Sequence, residues 1–367
     1  MSFSFNFGGV SEKNNAPITA RTGSSEAAVK KQQQQQQQQP EKTGRNSSFT
    51  WIRQETFFDS FLQKAEYPEN ELICVAQRKK CDDDEGDDMC VDNDDGNDVN
   101  DYVLRVREES SSFQNNNNSD LVPGVYEGGL KVWECSMDLC RYFHSQNDKN
   151  KNIDFKGHVL ELGCGHALPS IWILKHAISK QKADCFVTFS DYNDFVVRDV
   201  TMQNVAINAS YTHSKTTTTA STINQPQQIA NWLKNHVAFG AGDWLTMSED
   251  LLDNNNDGAT TKQQQQPTKP SAVPKNGLYD YILASETTYS EIAAKETAEL
   301  LSRHLKPGTG IAYISTKRYY FGVGGGTRCL CDALQKSTTH KFHIETLEVY
   351  DNGAGNIREL LLVKSLS

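Results

Sequence analysis

The chemistry-bearing residues of this chain fall in four short stretches. In VLELGCGHALPSI, residues 159–171, the turn Gly163-Cys164-Gly165 follows an apolar run containing Glu161. Neither glycine has a Cβ, so the backbone there can approach a ligand closely. Asp191 closes a second apolar run, where an acid can accept both hydroxyls of a ribose. Asp243 and Trp244 close a third and offer a carboxylate and a flat ring for a base. Ser285 and Glu286 close a fourth, next to the reacting groups. Each has a plainer reading: Glu161 as a buried structural acid, Asp191 as a helix cap, Trp244 as core and Glu286 as the cap of the helix that follows. The four stretches coincide in position, and that favours a nucleoside ligand.

The kind of nucleoside follows from what is missing. A dinucleotide fingerprint needs a third glycine, but Leu168 stands there, and no G-x-x-x-x-G-K-[ST] run occurs. Glu161 would repel a pyrophosphate. It would attract a sulfonium or an ammonium group, which favours S-adenosylmethionine over NAD or ATP. The nine cysteines form no C-x-x-C pair, so they indicate free thiols in a reducing compartment and no metal centre.

The elements that must position these residues alternate in period. Strands are predicted at 158–163, 185–190, 236–239, 279–284 and 311–316, and helices at 168–179, 195–208, 291–305 and 327–335. Pro169 lies in the first turn of its helix, where a missing N–H costs little, and Lys306-Pro307-Gly308 stops another. Two closing strands, 342–349 and 357–363, are joined through Asn352-Gly353. Strand–helix units followed by a hairpin imply an α/β, Rossmann-like, doubly wound sheet with one antiparallel strand. The four stretches then meet outside the carboxyl ends of the strands, where such sheets bind ligands.

Around that domain, 121–367, composition changes. Residues 1–50 contain the glutamine run 32–39 and are expected to be disordered. Residues 51–80, with Trp51, Phe57, Phe58 and Phe61 at near-helical spacing, form a docking element, and 81–120 an acidic, Asn-rich linker. Polar insertions are expected at about 211–231 and 253–276. The formal charge of -10 is misleading, because 81–101 holds eleven acidic residues and no basic one. Neither Gly86 nor Gly96 has the Asp five residues earlier that a calcium loop needs. The charge therefore describes a solvated loop, and no nucleic-acid surface is expected. With no leader pattern and no apolar run of membrane length, the expectation is a soluble, monomeric protein of the cytoplasm or nucleus.

The order E-L-G-C-G, D-Y-N, G-D-W, S-E-T-x-Y resembles the seven-strand class I methyltransferases. GVYEGGLKVWECSMDLCRYF (124–143), YYFGVGGG (319–326) and MSFSFNF resemble, more narrowly, the histidine protein methyltransferases that act on a large-subunit ribosomal protein. The resemblance implies S-adenosylmethionine as cofactor. It implies contacts from Trp133, Glu161, Gly163, Cys164, Gly165, Asp191, Tyr192, Asn193, Asp243, Trp244 and Ser285. Glu286 and Tyr289 take the place of the acidic–aromatic motif that faces the target side chain. His166 is expected to point to solvent. On this reading Glu286 accepts the spare N–H of the target imidazole and Tyr289 walls or orients the ring, whereas a lysine target would first have to lose a proton. The glycine-rich stretch 322–326 is either a flexible connection or a loop shaping the substrate entrance.

Overall fold

The strand that ends in the glycine turn lies in the middle of the sheet. The structure, a computed structural model, describes residues 48–63, 70–74, 103–107, 126–148, 153–213, 225–253, 269–338, 340–351, 353 and 355–366. The glutamine run and the acidic tract lie outside them. In chain order the elements are β1 (Phe49–Ile52), α1 (Glu55–Phe61), β2 (Asn70–Cys74), β3 (Val103–Arg107), α2 (Glu134–Asp148), β4 (Gly157–Leu162), α3 (Leu168–Ser179) and β5 (Cys185–Asp191). Next comes α4, a continuous run of Asp194–Val196, a π-helical turn Val197–Thr201 and Met202–His213. It is followed by α5 (Pro226–His236), β6 (Val237–Gly242), α6 (Trp244–Leu252), β7 (Tyr281–Ser285) and α7 (Glu291–His304). The last elements are β8 (Ile311–Lys317), α8 (Thr327–Gln335), β9 (Lys341–Asp351) and β10 (Ile357–Leu366).

The main sheet has the order β1-β6-β5-β4-β7-β8-β10-β9. Strands β6, β5, β4, β7 and β8 run parallel, and β10 lies antiparallel between β8 and β9. These seven strands form the expected doubly wound sheet with one antiparallel member. The eighth, β1, was not expected: it pairs antiparallel with β6, Trp51 opposite Gly240. Chain order reverses between β4 and β7, so the crevice opens there.

Alternation along β4 sends Val159 into the apolar layer with Phe143, Trp172 and Phe189. It sends Leu160 and Leu162 into the opposite layer with Ile282 and Ile314. Glu161 therefore falls on the α3 side.

The N-terminal element packs on the sheet edge. Phe58 is fully buried, its ring 6.1 Å from that of Phe239. Gln54 Nε2 donates to Val237 O at 2.5 Å, and Trp51 Nε1 to Asp250 Oδ2 at 2.7 Å. Strand β3 falls inside the stretch expected to be a linker and pairs with β2, burying Leu104 and Val106. The first insertion ends earlier than expected, because α5 begins at Pro226. Its glutamine-rich sequence hides an apolar face of Ile229, Ala230, Trp232 and Leu233, and Gln225 and Gln228 form a reciprocal capping box. At the end of the second, Ala272 and Val273 are buried in the core.

Candidate functional site

The turn after β4 builds the floor of a cleft of about 1280 Å³, counting the space open to solvent at its mouth. Gly163 has φ +59° and Gly165 φ +48°, a region that side chains with a Cβ adopt at a cost. Space is short as well: a Cβ on Gly165 would lie 3.1 Å from Gly129 O, and one on Gly163 3.0 Å from Thr287 Cγ2 and 3.6 Å from the Trp244 ring. The turn is tied to the neighbouring strand, Cys164 N donating to Ser190 O at 2.9 Å. It is also tied to the π-helical turn of α4, whose Thr201 Oγ1 donates to Gly165 O at 2.7 Å. The Cys164 thiol is buried 3.7 Å from that hydroxyl, and burial holds it well above its ordinary pKa. His166 does not reach solvent. It is buried, with Nε2 2.9 Å from Leu130 O and Nδ1 3.3 Å from Asn204 Nδ2, because an ordered polar pocket under the turn receives the ring.

Two buried carboxyl groups flank this floor. Glu161 Oε2 accepts the backbone N–H of Ser170, in the first turn of α3, at 3.1 Å. Burial pushes its pKa up to about 8, the Ser170 hydrogen bond offsets part of this, and nearby Asp191 raises it further. Asp191 accepts the backbone N–H of Gly165 at 3.0 Å and of Asn193 at 3.1 Å. Burial lifts it to about 6 against those hydrogen bonds, with Glu127 adding a smaller repulsion. The structural role of Glu161 and its place on the cleft wall are thus combined in one side chain. Asp191 is a brace for the turn rather than the cap of α4, and each of its oxygens can accept more than one hydrogen bond. Tyr192 lines the cleft, but Asn193 does not. Its Oδ1 accepts the Glu127 N–H at 3.0 Å and so tethers the loop before α2.

Asp243 and Trp244 both line the cleft. Asp243 also caps α6, a helix the sequence reading lacked, its Oδ1 accepting from Leu245 N and Thr246 N at 3.1 Å each. Trp133, at the entrance to α2, lines the same cleft. Its Nε1 donates to Gly128 O at 2.8 Å. Three buried polar atoms here have no partner among the described residues: Trp244 Nε1, Ser285 Oγ and Thr287 Oγ1. Buried groups of this kind are costly unless something pairs with them, and all three residues line the cleft.

At the other end of the cleft stands Glu286, with φ +58°. A bulky residue held there marks strain that the surroundings must compensate. It is not a helix cap: Ser290 fills that place on α7, accepting from Ala293 N at 3.1 Å. Glu286 Oε2 accepts a hydrogen bond from the Tyr320 hydroxyl. Oε1 is buried without a hydrogen-bond partner of its own among the described residues, 3.7 Å from Lys317 Nζ, and the buried Cys135 thiol also lies against this carboxylate. Tyr289 donates to Glu127 Oε2, so the tyrosine bridges to the loop before α2. Tyr320, Lys317 and Glu127 were missed as site residues. Tyr320 lay within the quoted motif 319–326, and its neighbouring glycines drew attention to the loop instead. Gly326 N donates to Thr288 O at 2.8 Å and Gly324 bridges Ser290, so the base of that loop is pinned against the segment carrying Glu286.

The arrangement suits a cationic nucleoside. Two buried carboxyl groups with raised pKa values surround a backbone floor, with a ring beside it and unpaired donors and acceptors along the wall. A positive charge would relieve the carboxyl groups.

A family profile described as "Lysine methyltransferase" matches residues 123–238. The chain is 33% identical over 244 residues to a histidine protein methyltransferase 1 homolog of Dictyostelium discoideum, covering 66% of this chain and 60% of that one. It is 34% identical over 254 residues to the homolog of Rattus norvegicus, covering 66% and 58%. It spans about 60% of the length of these curated relatives. Among solved structures it is similar to magnesium protoporphyrin IX methyltransferase of Synechocystis with bound S-adenosylmethionine, at TM-score 0.30 and 16% identity, covering 65% of this chain and 86% of that one.

Proposed function

The chain is a relative of the histidine protein methyltransferases, and from that premise we propose that it methylates a histidine of a large-subunit ribosomal protein with S-adenosylmethionine. The observation that carries this reading is Glu286: a strained, buried carboxylate at the cleft end, one oxygen held by Tyr320 and the other without a hydrogen-bond partner of its own among the described residues. The ribosomal substrate rests on the resemblance of 124–143 and 319–326.

The cleft residues fit the cofactor. Gly163 and Gly165 give the close backbone approach, and Trp244 gives a ring face. Asp191 keeps acceptor capacity for ribose hydroxyls. Ser285 Oγ and Trp244 Nε1 await partners, and Glu161 answers a positive charge. When bound, the cofactor supplies an electrophilic methyl group on a sulfonium centre.

The rest is work for the chain. A neutral imidazole has a lone pair ready, so no proton need be removed before it reacts. Glu286 Oε1 accepts the N–H on the other ring nitrogen, which fixes the tautomer and raises the basicity of the reacting nitrogen, as a carboxylate does for a metal-bound histidine. The same carboxylate stabilises the cation that the ring becomes and takes its proton afterwards. Tyr320 keeps Glu286 aimed, and Tyr289 and Trp133 wall the ring and exclude water.

The test is incubation of the purified chain with radiolabelled S-adenosylmethionine and heat-treated extract proteins, followed by amino-acid analysis of the acid hydrolysate. Labelled methylhistidine from a ribosomal-protein band is expected. Labelled methyllysine would replace this reading with its lysine rival, and an unlabelled extract would leave an inert binding protein.

A further inference from the structure

Lys317 is the last residue of β8, and its ammonium stands inside the cleft rather than on the surface. Its Nζ is 3.7 Å from Glu286 Oε1, 5.6 Å from the centre of the Trp133 ring and 5.5 Å from that of Tyr320. The carboxylate side chain is 7% exposed and the lysine 23%. Two ring faces and one carboxylate therefore hold this cation in place. The residue bears on neither the glycine floor nor the Asp191 side, so the cofactor reading leaves it unused.

We infer that Lys317 is the residue that makes this cleft choose a histidine over a lysine, by occupying as a built-in cation the place on Glu286 that a substrate ammonium would take. The inference rests on the methyl-transfer reading above and deepens it. A lysine arrives charged, and a site that selects it needs a carboxylate with charge to spare. Here Glu286 is already balanced by Lys317, and its other oxygen is engaged by Tyr320. A second ammonium against the same carboxylate would meet Lys317 at close range, and like charges about 4 Å apart in a partly buried site weaken binding on the order of a thousandfold. A neutral imidazole meets no such penalty on binding, and the charge it gains on methyl transfer is shed with the proton that leaves its other nitrogen. Its N–H needs only a lone pair, and Glu286 Oε1 has no hydrogen-bond partner of its own among the described residues, the buried Cys135 thiol being the one further weak donor against this carboxylate. The balance of the reaction agrees. The imidazole forms its new N–CH3 bond with its own lone pair while the S–CH3 bond breaks, and the proton leaves the other nitrogen only after transfer. A lysine must surrender a proton before it can attack at all.

The test compares wild type with Lys317→Gln and Lys317→Arg as full-length proteins, using heat-treated extract proteins and radiolabelled S-adenosylmethionine. The ratio of labelled methyllysine to labelled methylhistidine is read from the acid hydrolysate. Wild type and Lys317→Arg are expected to give methylhistidine with a ratio below the detection limit. Lys317→Gln should raise the ratio to at least about tenfold above that limit while cofactor affinity, read by calorimetry on the same samples, stays within about threefold. Retained cofactor binding establishes that the variant is folded. A Lys317→Gln protein that binds cofactor and loses rate with an unchanged ratio would overturn the inference while leaving the histidine reading intact. A wild type that itself gives methyllysine would overturn both. If Lys317→Gln loses cofactor binding altogether, the proposed separation of Lys317 from the cofactor end is wrong and the inference falls with it.

Discussion

The two ends of the cleft are built from different materials. At the cofactor end, around β4 and β5, the working parts are backbone: Gly163 and Gly165 at positive φ, and carboxylates spent on the N–H groups of Gly165, Asn193 and Ser170. At the reacting end, beyond β7 and β8, they are pairs of side chains: Tyr320 on Glu286, Lys317 beside it and Tyr289 on Glu127. A backbone floor is rigid, and a Cβ added to Gly163 or Gly165 would stand only 3.0 or 3.1 Å from its nearest neighbour. A side-chain pair can be dismantled one group at a time, and its geometry depends on segments far apart in the chain, 34 residues for Tyr320 and Glu286 and 162 for Tyr289 and Glu127. The two ends should therefore fail differently.

The largest effect is expected from Glu286→Gln. The amide keeps an acceptor oxygen but loses the charge to which the proposed mechanism assigns stabilising the product cation and taking its proton, a role worth roughly 10²–10⁴-fold in rate. Turnover should fall at least about a hundredfold, with cofactor affinity by calorimetry unchanged within about twofold. Loss of cofactor binding in this variant would erase the distinction between the ends.

Gly165→Ala is the converse. It places a Cβ 3.1 Å from Gly129 O at φ +48°, where a non-glycine residue costs roughly 1–2 kcal/mol before any movement of Gly129. Cofactor affinity should drop about five- to thirtyfold by the same cost, and turnover at saturating cofactor should stay near wild type. A fall in saturated turnover with normal affinity would show that the floor positions the target as well.

This contrast also explains what could be read from the sequence. A backbone turn is written locally: two glycines, an apolar strand before them and Pro169 after suffice to place Glu161, Asp191 and the helix α3. The reacting end is written in pairs. Glu286 and Tyr289 stood out as a motif, whereas Tyr320 and Lys317 acquire meaning only once β8 lies beside β7, Ser285 opposite Ser315. Elsewhere the misses have the same origin. Strand β1 is four residues long and is held by its partner β6 rather than by its own pattern. Helix α6 was hidden because Asp243 was read as a ligand when its carboxylate was also a cap. Helix α5 was hidden because glutamines diluted a buried face of Ile229, Trp232 and Leu233.

The buried carboxyls give the cofactor end a pH signature. Glu161, raised to about 8, is mostly protonated in the free protein at neutral pH, and a cationic ligand favours its ionised form. Cofactor affinity should rise with pH toward about 8, by up to about tenfold per unit, with a proton released on binding. The sign for the fold is opposite. Between the ordinary 4.5 and about 8 the folded chain holds a proton that the unfolded chain has lost, so this group's contribution to stability falls as pH rises through that window and is flat above it. Calorimetry in buffers of different ionisation enthalpy reads the released proton. Glu161→Gln should abolish it and flatten the affinity profile, and a persisting proton release would assign the signature to Asp191 instead.

The smallest effect is the one that tests whether the ends are separable at all. Glu127 belongs to both: its N–H is held by Asn193 at 3.0 Å, beside the cofactor floor, and its carboxylate receives the Tyr289 hydroxyl. Tyr289→Phe removes that hydroxyl and keeps the ring as a wall. One hydrogen bond of this kind contributes about 1 kcal/mol net, or roughly fivefold. If the bridge only aligns the wall, turnover should drop by about that factor with cofactor affinity unchanged. If it carries strain between the ends, Tyr289→Phe should loosen the loop before α2 and weaken cofactor binding as far as Gly165→Ala does. Single-turnover rates and calorimetry on the same preparation separate these outcomes, because a wall defect slows methyl transfer in the saturated enzyme whereas a transmitted defect appears first in affinity.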